Sequence, residues 1–134
     1  MSFIPAAVVA HADKIGTIAP GYIADLAVFT PQGADGYTSI LAATPKDVRL
    51  TMVGGKILYG DAQLASAATP ACEAIAVCGA SKFVCVAEAT ATDKLDQTLS
   101  QIKGALEAAL LDVDALTKAD GYDFAPLAPL VKCP

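Results

Sequence analysis

DVRLTMVGGKILYGD, residues 47–61, is the stretch from which the fold can be read. Val48, Leu50 and Met52 alternate with Arg49, Thr51 and Val53, the period of two expected of a β-strand. Gly54 and Gly55 follow as a two-residue break, and adjacent glycines supply the positive φ angles of a primed hairpin turn. Lys56 to Tyr59 then return as the partner strand. The stretch predicts a β-hairpin.

Toward the N-terminus stands DKIGTIAPGYIADLAVF, residues 13–29. Gly16, Pro20 and Gly21 punctuate a tight turn. Ile23 to Phe29 form an apolar run without clean alternation, which predicts a strand covered on both faces. Residues 30–37 read as a loop, and residues 38–43 fit either a strand or one helical turn. Residues 1–13, MSFIPAAVVAHAD, read as a short helix with Pro5 in its first turn. They lack the positive start of a signal peptide, and Pro5 interrupts their apolar run.

Beyond the hairpin the chain changes character. Residues 61–71 are rich in Ala and Ser and read as a connector, and KFVCVA (82–87) as a short strand. Thr92 can cap a helix from Asp93 to about Val113. Its apolar residues Leu95, Leu99, Ile102, Leu106, Leu110 and Val113 step by three or four and form one stripe, opposite Asp96, Lys103 and Glu107. With so acidic a polar face, this is a core-packing helix rather than a membrane one. Residues 120–134, with three prolines, read as an irregular tail that Cys133 could anchor. The expected class is α+β: a small sheet containing the hairpin, packed by an amphipathic helix.

Composition narrows the function classes. The 134 residues amount to about one domain, with 54% apolar and 17% charged residues, too apolar for a disordered chain. That content predicts a generous core and some surface suited to a partner. No run approaches the roughly 18 apolar residues of a membrane span. The net charge is −5 and the nine Lys and Arg are scattered, so neither nucleic acid nor a membrane is an expected partner.

Cys72, Cys78, Cys85 and Cys133 match no zinc spacing. Two disulfides, in any of three connectivities, or four buried thiols both fit them. Disulfides would imply an oxidising, extracytoplasmic compartment.

With these elements in place, IGTIAPGYIADLAVF (15–29) resembles a motif of the metal-dependent amidohydrolases. Gly16, Ile18, Pro20, Gly21, Ala24, Asp25, Leu26 and Phe29 fall on the motif, and about twenty residues later Val48, Val53, Gly54, Gly55 and Tyr59 fall on the family's glycine-marked hairpin. The resemblance covers residues 6–61. It implies that this segment lies after a catalytic TIM barrel and forms part of a small composite β-sandwich. The parent activity would be metal-dependent hydrolysis of C–N, amide-type bonds with one or two divalent metals, typically zinc.

The same resemblance exposes what the chain does not offer. The family's chemistry uses a His-x-His pair, two further histidines, an aspartate and a carboxylated lysine or glutamate around the metal, which activates water. Here His11 is the one histidine. Asp25 could be an acid raised by its apolar strand or a cap on turn amides; the family keeps its catalytic aspartate on the barrel, which implies the cap. No nucleophile elbow, phosphate loop or dinucleotide motif is present. GASK (79–82) lacks a glycine-rich cradle, and Glu73 and Glu88 stand alone.

The expectation is therefore a chain without catalytic, cofactor or metal residues of its own. Residues 1–61 would be the partial sandwich and 62–134 a cysteine-bearing extension packed on it, with the barrel or a second copy as partner. The alternative is a freestanding, secreted, disulfide-braced binding or structural module.

Overall fold

The computed structural model describes residues 11–33, 35–68, 72–87, 96–118, 121, 131 and 133. The expected helix over residues 1–13 falls mostly outside them, as do Thr92 to Leu95 and most of the tail.

The hairpin forms as its pattern requires. β2 (Val48–Val53) and β3 (Lys56–Asp61) pair antiparallel, Val53 opposite Lys56, so Gly54 and Gly55 are the whole loop. Their φ angles, +57° and +81°, are those of a type I′ turn, whose twist matches the strands. Between the pairs Thr51–Tyr59 and Met52–Ile57, Leu58 is left over as a bulge. Its carbonyl instead accepts the Cys85 N–H at 2.7 Å.

β1 (Leu26–Phe29) pairs antiparallel with β2. It is shorter than the expected Ile23–Phe29, because Ile23 and Asp25 are engaged in turn hydrogen bonds. Nor is it covered on both faces: its two central residues, Ala27 and Val28, are exposed. Residues 36–42 settle as a short helix, α1 (Gly36–Ala42), because Asp35 accepts the Tyr37 and Thr38 N–H groups at its N-cap.

The extension completes the sheet. A second hairpin, β4 (Glu73–Val77) and β5 (Ala80–Val84), turns on Cys78 and Gly79, at φ +50° and +80°. β5 slots against β3, giving five antiparallel strands in the order β1-β2-β3-β5-β4. The sheet thus crosses Asp61 without a break.

α2 (Leu99–Thr117) starts later than its apolar stripe alone places it. Thr98, not Thr92, is the cap: it shares a reciprocal capping box with Gln101, and Asp96, at φ +38°, stands outside the helix.

Among the described residues the core is smaller than the composition predicts. Phe83 is its centre at 2% exposure, with Val77, Cys85 and Ala87. The Phe83 ring lies over Gly60, where a Cβ would come within 3.0 Å of the ring and 3.1 Å of the Arg49 carbonyl oxygen. Ile18, Leu41, Leu111 and Leu116 are each at least 70% exposed. Among the described residues, the single sheet has no second sheet under which to bury them.

Candidate functional site

Four of the residues singled out by the sequence, Ala24, Asp25, Gly54 and Gly55, meet at the turn end of the β2–β3 hairpin. Ala19-Pro20-Gly21-Tyr22 is a β-turn closed by the Tyr22 N–H on the Ala19 carbonyl at 3.2 Å. Pro20 presets its first corner and Gly21, at φ +88°, occupies the position a type II turn reserves for glycine. The Ile23 N–H then donates to the Lys14 carbonyl at 2.7 Å, folding the loop onto itself.

This loop delivers Asp25 to the hairpin tip. Asp25 Oδ1 accepts the Gly54 N–H at 2.7 Å, and the Ala24 carbonyl accepts the Gly55 N–H at 3.0 Å. Asp25 is thus a cap on turn amides, though not of the loop preceding it: the amide lies 29 residues further along the chain. Ala24, Asp25, Gly54 and Gly55 form one junction, while Gly16 and Ile18 lie on the loop that precedes it. Ile18 is 87% exposed. His11 is exposed too, at a turn where its carbonyl accepts the Lys14 and Ile15 N–H groups.

A second cluster joins the two halves of the chain. Lys82, 2% exposed on β5, donates through Nζ to Asp61 on β3 and to the Val48 carbonyl at 3.0 Å. Arg49 Nε donates to the other Asp61 oxygen at 2.9 Å. The Lys82 hydrogen bond first, and Arg49 second, hold the Asp61 carboxyl below its ordinary range. A third carboxylate, Glu73, accepts the Leu99 and Ser100 N–H groups and the Ser100 hydroxyl at the start of α2. Those bonds, led by the hydroxyl, lower its pKa.

In the sequence Glu73 stands alone, and the acidic partner of Lys82 is not apparent. The signal for Lys82 was a lysine inside an apolar strand, which needs an acidic partner to be buried; nothing local pointed to Glu73. GASK is also reassigned: Gly79 belongs to the turn and Ala80 to Lys82 to β5.

The cysteines form two disulfides, Cys72–Cys85 and Cys78–Cys133. The first joins the open ends of the β4–β5 hairpin and the second ties its turn to the segment bearing Cys133. Both fit an oxidising, extracytoplasmic compartment. Among the described residues, no group of three His, Cys, Asp or Glu could hold a metal ion, and no helix is long and apolar enough to cross a membrane.

Residues 1–58 match the model of the amidohydrolase family. The match includes the Asp25–Gly54 junction and ends within β3. It covers less than half of the chain and supports membership of the amidohydrolase superfamily and a hydrolase-related origin. Comparison with curated proteins and with solved structures yields no match.

Proposed function

We propose that residues 1–61 are the C-terminal part of the composite β-sandwich of a metal-dependent amidohydrolase, and that the chain supports a catalytic barrel without hydrolysing substrate itself. The observation that carries this reading is the Asp25–Gly54 hydrogen bond. It commits the motif's one carboxylate to locking two strand-bearing segments together. The glycines beside it serve turns. In the parent enzyme, one or two zinc-like ions held by barrel residues would activate water for attack on an amide-type C–N bond.

Surface chemistry supports the same reading. Ile18, Ile23, Val28 and Val53, all in the matched half, are 45–87% exposed. Apolar side chains left exposed on a small sheet and its approach loop suit a protein partner better than water.

The second reading, a secreted disulfide-braced module, is favoured by one observation: β4 and β5 extend the sheet beyond the matched half, and two disulfides brace them.

Metal analysis of the purified 134-residue chain, with an amide and imide substrate panel in added zinc, tests the lack of catalysis. Neither bound metal nor turnover is expected; stoichiometric zinc or hydrolysis overturns the reading. Coding sequence upstream of Met1 separates the two readings: a barrel with a His-x-His pair supports the first, an independent promoter the second.

A further inference from the structure

α2 carries its apolar residues in a heptad pattern. Leu99, Leu106 and Val113 recur every seven residues, and Ile102, Ala109 and Leu116 each follow three places later. Residues spaced alternately by three and four lie along one seam of a helix, the arrangement by which two helices pack side by side. In a small domain such a seam is normally buried against the sheet. In α2 it is not. Leu99 and Ile102, in the first turn, are half-buried, but Leu106, Val113 and Leu116 are 51%, 41% and 79% exposed. None of the described side chains of α2 is buried, and among the described residues no strand packs along its length.

Charge indicates what fits this seam. Lys103 is the only cation of α2, and it pairs along the helix with Glu107 at 3.6 Å. Asp112 and Asp114 make the C-terminal half acidic. Asp114 comes eleven residues after Lys103, about three turns, so both lie on the same flank of the seam. When a second α2 is laid end for end with seam on seam, Leu99 of one copy meets Leu116 of the other, Ile102 meets Val113, and Leu106 meets Ala109. In that register Lys103 of each copy stands within a turn of Asp114 of the other, and the two helix dipoles oppose each other favourably. A parallel pair would instead gather both acidic halves at the negative ends of both dipoles. The same acidity disfavours an anionic lipid surface.

We propose that the exposed seam of α2 is a dimerisation surface, and that its occupant is α2 of a second copy of this chain, running antiparallel. The two copies offer the same patch to each other, so the assembly closes at two. The 19 residues of α2 span about 28 Å. With a contact strip about 10 Å wide, the two copies together bury roughly 600–1,000 Å², the low end for a specific interface. The dimer is therefore weak and forms as concentration rises. It is independent of the functional reading above, because α2 lies outside the residues matched to the amidohydrolase family.

The test is sedimentation equilibrium of the full chain from about 5 to about 500 μM. The mass should rise from 13.6 kDa toward twice that value. Leu106→Asp should raise the dissociation constant about tenfold or more, whereas Leu111→Asp, on the opposite side of the helix, should leave it within about twofold. Lys103→Glu should weaken the dimer about threefold or more, and the charge swap K103E/D114K should bring it back to within about twofold of the original. Circular dichroism checks that each variant keeps its helix. A monomer at every concentration overturns the inference, whether or not it then floats with phosphatidylcholine vesicles. Equal losses in L106D and L111D, or a charge swap that restores nothing, overturn it as well.

Discussion

Replacing Asp25 with alanine probes the junction on which the functional reading rests. The Asp25 carboxylate receives the Gly54 N–H at 2.7 Å, a short charge-assisted contact between segments 29 residues apart. Hydrogen bonds to charged groups contribute about 1.5–3 kcal/mol, and an exposed one belongs at the lower end, about 1.5 kcal/mol. With an unfolding entropy of about 2.1 cal/mol/K per residue, the 134-residue chain should lose about 5 °C in Tm. The Asp25→Asn variant keeps a carbonyl oxygen in reach of the same amide and should lose less than half as much.

Urea unfolding with both disulfides intact measures the free energies, and hydrogen exchange at Gly54 reports the bond itself. In D25A the Gly54 amide should exchange faster, while the Gly55 amide, held by the Ala24 carbonyl, should change less. Wild-type stability to within about 0.3 kcal/mol, or an unchanged Gly54 amide, would refute the structural role assigned to Asp25.

Three further outcomes are expected. At Gly54 a Cβ meets no atom within 4 Å, so only its φ of +57° matters: G54N should be neutral or slightly stabilising and G54V should cost about 2 kcal/mol, and equal effects in urea unfolding would contradict the type I′ turn. G60A forces a Cβ against the Phe83 ring and the Arg49 carbonyl and should cost about 1–3 kcal/mol, partly recovered in G60A/F83L; a double-mutant cycle with no coupling would count against that packing. Asp35, Asp47, Asp61 and Glu73 all have folded pKa values below the ordinary 3.8 or 4.5, so they add stability that is present above those values and lost as pH falls through the lower folded ones. Urea midpoints should therefore drop between about pH 5 and about pH 3, with a shallower drop in E73Q; a flat profile, or one as steep in E73Q, would contradict the assignment.

What the sequence revealed was local. The β2–β3 hairpin could be read because Gly54-Gly55 and the alternation around it lie within fifteen residues. The β4–β5 hairpin has the same two-residue loop, but Cys78 occupies a position that glycine or asparagine would have advertised, and alanines dilute its strand pattern. The apolar stripe continues back through Leu95 and points to an earlier start for α2, whereas the helix begins at the Thr98–Gln101 capping box. Gly16, Pro20 and Gly21 in the first motif and Gly54 and Gly55 in the hairpin could be read as turn formers, but the partner of Asp25 could not. A carboxylate's nearest amides in sequence are its default partners, and only the β1–β2 pairing brings Gly54 closer.

The Asp61 cluster shows how the two halves of the chain depend on each other. A lysine as buried as Lys82 is tolerated only with a counter-charge and satisfied N–H groups. Both acceptors, the Asp61 carboxylate and the Val48 carbonyl, come from the half that carries the amidohydrolase motif. Conversely, β3 gains its second neighbour from the extension, and the Leu58 carbonyl freed by the bulge is satisfied by Cys85. Without residues 62–134, β3 would be an open edge and Asp61 would keep Arg49 alone. Without residues 1–61, the Lys82 ammonium would lose its counter-ion. A loosely tethered appendage would leave neither part so dependent, so β4 and β5 of the extension are structural members of the same sheet.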